Sequence, residues 1–466
     1  MAEQDNTYPL MVTISGIRGI ADKSLTTGVV ERYAGAFGAF IHENHSAEVK
    51  RIIVCGRDSR VSGPEISATV HKLLTAQGWT VWDIGIVPTP TVQYMVKKHS
   101  LAGGIVITSS HNPKQWNGLK FVGPDSLFLS PDACAEIFKD DAPRSVNTTH
   151  EGHVILIDDA AQQHVDDLLR LPVVPVEDIK GRHFTVALDT VCGAGGPIMR
   201  TLLEQLGATV LGQNLETSGL FPRDPEPTAA NLAEFCKFVE QSDADLGIAV
   251  DPDVDRCVLI DERGVCFGEE FTLAIAVDYI LTHVGRKGCV VKNLSSSMMT
   301  DVFTAHNGCT MVEAAVGEIN VALAMRGCGA VIGGEGNGGV MLPDLHIGRD
   351  APVAATLALA WLAVGGGTMS GRIGAMPHFA IVKHKVPLGN LDADAVLEKA
   401  RGLDLIPGQS KPTVSTLDGV KLKGDHHWVH VRKSNTEPIL RVIAEARSTE
   451  EAEDLCERVK ESLLAL

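Results

Sequence analysis

A chain of 466 residues is too long to fold around one hydrophobic core and implies several domains. Its composition, 44% hydrophobic and 21% charged, is that of a soluble protein, and a net charge of −17 opposes loose attraction to nucleic acid or an anionic membrane. Ten scattered cysteines without a C-x-x-C pair speak against a zinc site or a disulfide framework and fit reduced thiols in a cytosol.

The opening MAEQDNTYPLMV has neither the basic start nor the apolar run of a signal peptide, so the expected location is cytoplasmic. Close behind it, Ser15-Gly16-Ile17-Arg18-Gly19 sets an isolated arginine, Arg18, beside glycines. Short apolar runs then predict strands over 51–54, 104–108, 184–188, 247–250, 289–291 and 330–332. Helical spacing predicts helices over 64–77, 197–206 and 270–283 between them. That alternation is the pattern of α/β domains with sheets buried on both faces and functional loops at the strand ends. The most apolar stretch, 351–364, is shorter than the roughly 20 residues of a membrane span and reads as a buried helix. Beyond Phe379 the character changes: a strand over 380–386, a helix over 393–401, a hairpin near Leu417-Asp418-Gly419-Val420, a strand over 428–431 and an amphipathic helix over 449–463 form a small α+β domain. The expected division is 1–165, 166–267, 268–376 and 377–466, four domains around one cleft.

Each domain offers one polar or Gly-rich loop after an apolar run. Thr108-Ser109-Ser110-His111-Asn112-Pro113 exposes two serines at a strand end, with His111 able to assist proton transfer and Lys120 shortly after Gly118 offering a cation or acid/base. The residues alone do not choose between Ser109 and Ser110, and a Ser/Asn/Pro turn explains the segment equally well. In Asp251-Pro252-Asp253-Val254-Asp255-Arg256, an extended backbone would point three carboxylates to one side. Their repulsion calls for a cation, and all-oxygen ligation suits Mg²⁺ or Ca²⁺. An EF-hand is excluded because Arg256 stands where the calcium loop needs glycine. Gly333-Gly334-Glu335-Gly336-Asn337-Gly338-Gly339 allows close backbone approach, with Glu335 and Asn337 able to bond sugar hydroxyls. Arg432-Lys433-Ser434-Asn435-Thr436-Glu437-Pro438 can wrap a phosphate with an Arg fork, hydroxyls and N–H groups. Arg349, in His346-Ile347-Gly348-Arg349-Asp350, is a second isolated arginine; it and Arg18 could equally be surface charges.

In this order, the loops resemble the four signature segments of the α-D-phosphohexomutase superfamily, over essentially the whole chain. The resemblance implies three related α/β domains with mixed sheets followed by a smaller α+β domain. It implies that Ser110, directly before His-Asn-Pro, carries a phosphate, and that Asp251, Asp253 and Asp255 hold Mg²⁺ together with Ser110. It makes His111, Lys120, Arg18 and Arg256 active-site residues. Glu335, Asn337 and Arg349 fall to substrate binding, as do Arg432, Ser434, Asn435 and Thr436, which take the non-reacting phosphate. One departure stands out: many members read Gly-Glu-x-Ser-Gly-His, where this chain has Asn337 for Ser and Gly339 for His.

The implied reaction interconverts hexose 6- and 1-phosphates through phosphoserine and a 1,6-bisphosphate that also primes the enzyme. The motifs look most like the branch called phosphoglucosamine mutase or phosphomannomutase, which makes conversion of glucosamine 6-phosphate to glucosamine 1-phosphate the expected reaction and phosphomannomutase/phosphoglucomutase activity the alternative. The expected partner is a small sugar phosphate, without nucleic acid or membrane, in a monomer or homodimer. Two rivals follow from the same residues. An aspartyl-nucleophile phosphatase would use Asp251 to attack and Asp253 as acid, leaving Ser110 idle. A sugar-phosphate sensor would bind without turnover.

Overall fold

Four sheets follow one another along the chain. The computed structural model describes residues 8–44, 49–139, 144, 146, 148, 150–388, 392–403, 411–433 and 439–464. The first sheet has seven strands in the order Met11–Thr13, Gly16–Ile20, Trp116–Val122, Leu101–Ile107, Lys50–Arg57, Thr80–Ile86, Val154–Leu156. The second runs Cys257–Asp261, Leu246–Val250, Thr185–Asp189, Thr209–Gln213, and the third Thr310–Ala314, Cys289–Asn293, Ile332–Glu335, Gly339–Met341.

A common unit underlies these three sheets. In each, three parallel strands are followed by a fourth that returns antiparallel beside the third. The Ser110 loop, the three-aspartate loop and the Glu335 turn all occupy the same place, the crossing from third strand to fourth. This is the carboxyl end of the parallel strands, where open α/β sheets place their ligands. The fold is therefore three related α/β domains, followed by a five-stranded antiparallel α+β domain ordered Ala380–Pro387, Ile439–Ala446, Trp428–Lys433, Val420–Lys423, Thr413–Ser415.

The apolar segment near 351–364 forms the helix Ala351–Gly365, buried all along its first three turns. Asp350 caps it by accepting from Val353 N, which fixes where Arg349 leaves the helix start. No helix among the described residues is long and apolar enough to cross a membrane. The helix expected over 270–283 is α-helical as Glu270–Asp278 and widens to a π-turn over Tyr279–His283. The strand expected over 330–332 starts at Ile332, because Gly329 at φ 62° ends the preceding helix and the Ala330 N–H still serves that cap.

One continuous core, from Val54 through Val186 and Val290 to Met376, joins the first three sheets. The C-terminal domain has its own core of residues such as Val386, Val442 and Leu455. Its junction with the third domain is mostly polar. Lys421 and Lys423 reach Glu313, Lys423 also reaches Asp301, and Glu445 accepts from Ser297 and from Met298 N. His430 spans the junction, 2.9 Å from Ser295 Oγ across it and 2.6 Å from the Asp418 carbonyl.

Burial pushes the His430 imidazole down to about 4, with Lys421 and Arg432 adding to the effect. The unfolded ring takes its proton first, so stability present above about 6.5 is lost as pH falls toward about 4, on the order of 3 kcal/mol in all. Amide exchange at 293–297 and 418–432, corrected for intrinsic rates, should therefore quicken between pH 7 and pH 5. His430→Asn should flatten that dependence; an unchanged profile would count against His430 as its source.

Candidate functional site

The strand Leu101–Ile107 delivers Thr108, whose hydroxyl accepts from Ser110 N at 2.9 Å and donates to Asp58 Oδ2 at 2.7 Å. This grip holds Ser110 at φ 49°, a left-handed conformation unusual for serine. Ser109 turns its hydroxyl onto Asn112 within the loop. Ser110 instead faces outward from the loop: its Oγ donates to Asp251 Oδ2 at 3.2 Å and lies 3.3 Å from His111 Nδ1.

The aspartate loop does not run extended. Val254 sits at φ 60°, its N–H closes a turn on the Asp251 carbonyl, and the N–H groups of Asp255 and Arg256 both donate to Asp251 Oδ1. The compact turn pairs backbone donors that an extended segment would leave buried and unbonded. The three carboxylates still converge, each with an oxygen within 4.8 Å of the others, and the group can hold a metal ion. Burial, with Asp255 and Asp253 alongside, pushes the Asp251 carboxyl well above the ordinary range. Burial alone would also raise Asp253, but Lys120 and the Thr89 hydroxyl outweigh it and hold that carboxyl low.

Arg256, of the loop itself, lies 3.9 Å from Asp255, and further compensating cations come from other domains. Lys120 Nζ lies 2.7 Å from Asp253 and 3.3 Å from Asp255. Arg18 pairs in register with Gly118 across neighbouring strands, so it shares a sheet face with Lys120 two residues on. Far from being a surface charge, Arg349 is buried and meets Asp255 at 2.7 Å, Glu318 at 3.0 Å and Glu335 at 3.1 Å. Arg256 approaches Glu226 at 3.4 Å. Its charge, then burial, then Arg18 hold the His111 imidazole well below its ordinary range, so that ring is neutral near pH 7.

Some buried atoms here have no hydrogen-bond partner among the described residues: Asp253 Oδ1, Asp255 Oδ1, Arg18 Nε and Arg256 Nε. Orphaned carboxylate oxygens suit a hard cation, and orphaned guanidinium N–H groups suit a phosphate. The donor set therefore fits a hard metal ion beside an anionic group.

The glycine-rich segment is a tight hairpin rather than an open loop. Glu335 is the last residue of one strand and pairs with Gly339 at the start of the next. A Cβ at Gly339 would lie 2.3 Å from Arg349 Cδ, so the glycine clears the route of that arginine. Glu335 accepts from Asn293 Nδ2 and Gly317 N as well as from Arg349, while Asn337 Oδ1 is buried without a partner. Cys257 N donates to Gly338 O, joining this hairpin directly to the aspartate loop.

In the fourth domain, Arg432 Nε donates to Asp418 Oδ2 at 3.0 Å. Ser434, Asn435 and Thr436 lie outside the described residues. The expectations missed Thr89, Glu226, Glu318 and the segment Asp58-Ser59-Arg60. The last had a readable signal, because it also follows a predicted strand. Glu318 had none, since it stands alone after Gly317 and meets Arg349 only through the fold.

Arg349→Leu would strand three buried carboxylates and should destabilise the protein by about 3–5 kcal/mol. Arg349→Lys, lacking the planar fork, should recover part of that. Urea unfolding of both variants measures it, and a loss below 1 kcal/mol for the leucine variant would contradict the arrangement.

Comparison with known proteins gives a consistent result. Residues 11–142, 162–264, 269–379 and 384–462 match, in turn, alpha/beta/alpha domains I, II and III and the C-terminal domain described as phosphoglucomutase/phosphomannomutase. A Thermococcus kodakarensis protein named phosphoglucomutase/phosphomannomutase is 34% identical over 447 residues, covering 95% of this chain and 96% of its own. A Methanopyrus kandleri protein named probable phosphoglucosamine mutase is 33% identical over 444 residues, covering 95% of each. The crystal structure of a phosphoglucomutase/phosphomannomutase family protein from Burkholderia thailandensis superposes with a TM-score of 0.84 at 23% identity, over 98% of both chains.

Proposed function

Since the chain belongs to the phosphoglucomutase/phosphomannomutase family and is a phosphohexomutase, we propose that Ser110 carries the phosphoryl group and that the preferred reaction converts glucosamine 6-phosphate to glucosamine 1-phosphate. The observation that supports this reading is the placement of Ser110 Oγ 3.2 Å from Asp251, in a loop whose other aspartates keep orphaned oxygens.

Asp251, Asp253 and Asp255 would hold Mg²⁺, which when bound neutralises charge on the phosphate. The side chains of this chain do the rest. Arg18 and Arg256 orient the phosphate through guanidinium Nε–H groups that make no hydrogen bond among the described residues. Lys120, kept cationic by Asp253 and Asp255 against the pull of burial, gives a proton to Ser110 Oγ as the P–O bond to the serine breaks and is restored by the proton that the attacking sugar hydroxyl sheds; the return transfer runs the same exchange backward. His111 stays neutral beside Ser110. The sugar is bonded at Glu335 and Asn337, and its distal phosphate at the Arg432 loop with Ser434, Asn435 and Thr436. The intermediate is a hexose 1,6-bisphosphate, which turns over within the cleft before its second phosphate returns to Ser110. Segments 1–165, 166–267, 268–376 and 377–466 each supply one loop. Ten free cysteines are consistent with work in the cytoplasm.

The phosphoglucosamine choice follows the motifs and the Methanopyrus relative; the name of the Thermococcus relative favours glucose or mannose phosphate as the second reading. Ser110→Ala should lower kcat by ~10³-fold or more, and chelation with EDTA should abolish turnover until Mg²⁺ is restored. A panel of glucosamine, mannose, glucose and N-acetylglucosamine phosphates, primed with a 1,6-bisphosphate, ranks the sugars by kcat/KM. Isomerised product rather than free phosphate is expected. Full activity in the Ser110 variant would refute the assignment.

A further inference from the structure

Arg60 is fully buried against the Ser110 loop, and its ion pair is with Asp58 rather than with the aspartate loop. All five of its N–H donors are used. Nε donates to Asp58 Oδ2 at 2.9 Å, Nη1 to the carbonyls of Pro113 and Trp116 at 2.6 and 2.8 Å, and Nη2 to those of Ser110 and Asn112 at 2.7 Å each. Four of the five acceptors thus belong to one seven-residue stretch, 110–116, whose backbone is wrapped around a single guanidinium. No other side chain matches this geometry; a lysine has three donors and no planar fork.

The consequences reach the serine. Because the Ser110 carbonyl turns to Arg60, the N–H of His111 in the same planar trans peptide points the opposite way, out of the clamp. The same pull, with Thr108 holding Ser110 N and Asp58 holding Thr108, maintains the left-handed backbone at Ser110. The clamp is also fastened to the domain that carries the aspartates. Ser59 Oγ donates to the Cys192 carbonyl at 2.7 Å, the Phe221 ring lies 5.0 Å from the guanidinium, and a Cβ at Gly219 would fall 2.2 Å from the Ser59 carbonyl.

We propose that Arg60, oriented by Asp58, is a positioning residue for the reaction: it fixes the backbone of the phosphoryl-carrying loop and sets Ser110 against the aspartate loop of the next domain. The proposal rests on the reading of Ser110 as the phosphoryl carrier. A displacement of about 1 Å at a reacting centre costs roughly 10²-fold in rate, so loosening this clamp acts on turnover more than on sugar binding.

The test labels full-length wild type, Arg60→Lys, Arg60→Met and Asp58→Asn with a ³²P-hexose 1,6-bisphosphate, in parallel with urea unfolding. It reads kcat per mole of phosphoserine, KM, and the share of label lost to water. Arg60→Lys and Arg60→Met should fall by ~10²-fold in kcat per phosphorylated site, with KM within about threefold and more label passing to water. Asp58→Asn, which keeps Arg60, should move the same way by a smaller factor and covers the case in which an Arg60 variant fails to fold. If the foldable variants turn over normally per phosphorylated Ser110, Arg60 serves stability alone and the proposal is overturned. If wild type carries its label on another residue, the serine assignment itself falls.

Discussion

Three carboxylates buried within one short turn repel each other, and the remainder of the site is arranged around that repulsion. Asp251 answers it locally, by accepting two backbone N–H groups and the Ser110 hydroxyl. Asp253 and Asp255 are answered from a distance, by Lys120 of the first sheet and, for Asp255, Arg349 ahead of the long buried helix. In a low-dielectric interior such pairs are strong only when geometry is held closely. Charge compensation therefore ties three domains to one loop, and the continuous core behind the sheets supplies the rigidity those pairings need. One oxygen on each of Asp253 and Asp255 makes no hydrogen bond among the described residues, and these are the atoms available to a further cation.

The fourth domain stands apart from that arrangement. Its core is separate, and its junction with the third domain is made largely from lysines, carboxylates and a histidine, with a small apolar patch at Met298, Trp428 and Ile443. A polar interface between independently cored units is the kind across which domains move as bodies. The first three domains have to hold charges to within a fraction of an ångström, whereas a loop that meets a distal phosphate has to admit and release it. On the proposed reading, Arg432 is carried on the part of the fold free to do so, and Asp418 keeps its guanidinium aligned meanwhile.

Much of this was legible in the sequence because function sits at strand ends. Apolar runs that stop at Thr108 and Asp251 announce both the sheet and the loop, and the carboxylate spacing announces the chemistry. What the spacing could not convey was conformation. Val254 at φ 60° makes the aspartate loop a turn, a strained state that a β-branched residue adopts only when its surroundings over-determine it. The arginines were ambiguous for a different reason. Neither Arg18 nor Arg349 has a local partner: Arg349 meets its carboxylates only when strands and domains pack, and Arg18 comes to the Lys120 face only through strand pairing. The place of Arg60 after a strand was readable, but four of its five acceptors are carbonyls, which no side-chain pattern records.

The absence of a histidine at position 339 has a structural counterpart. Arg349 crosses the hairpin where any side chain on residue 339 would stand, and from there it reaches Glu335, Glu318 and Asp255. Glycine at 339 and arginine at 349 are therefore one solution, since a larger residue at the first position would force the second off its three carboxylates. The exchange also changes what the hairpin presents. Glu335 has both oxygens engaged, by Asn293, Gly317 and Arg349, so it is held as a fixed acceptor rather than a mobile one. The group with spare capacity is Asn337, whose Oδ1 has no partner among the described residues. An amide oxygen does not titrate, accepts from a hydroxyl or an ammonium alike, and cannot serve as a base. On the proposed reading the hairpin thus binds and orients the sugar, and proton movement is left to the Lys120 side of the site.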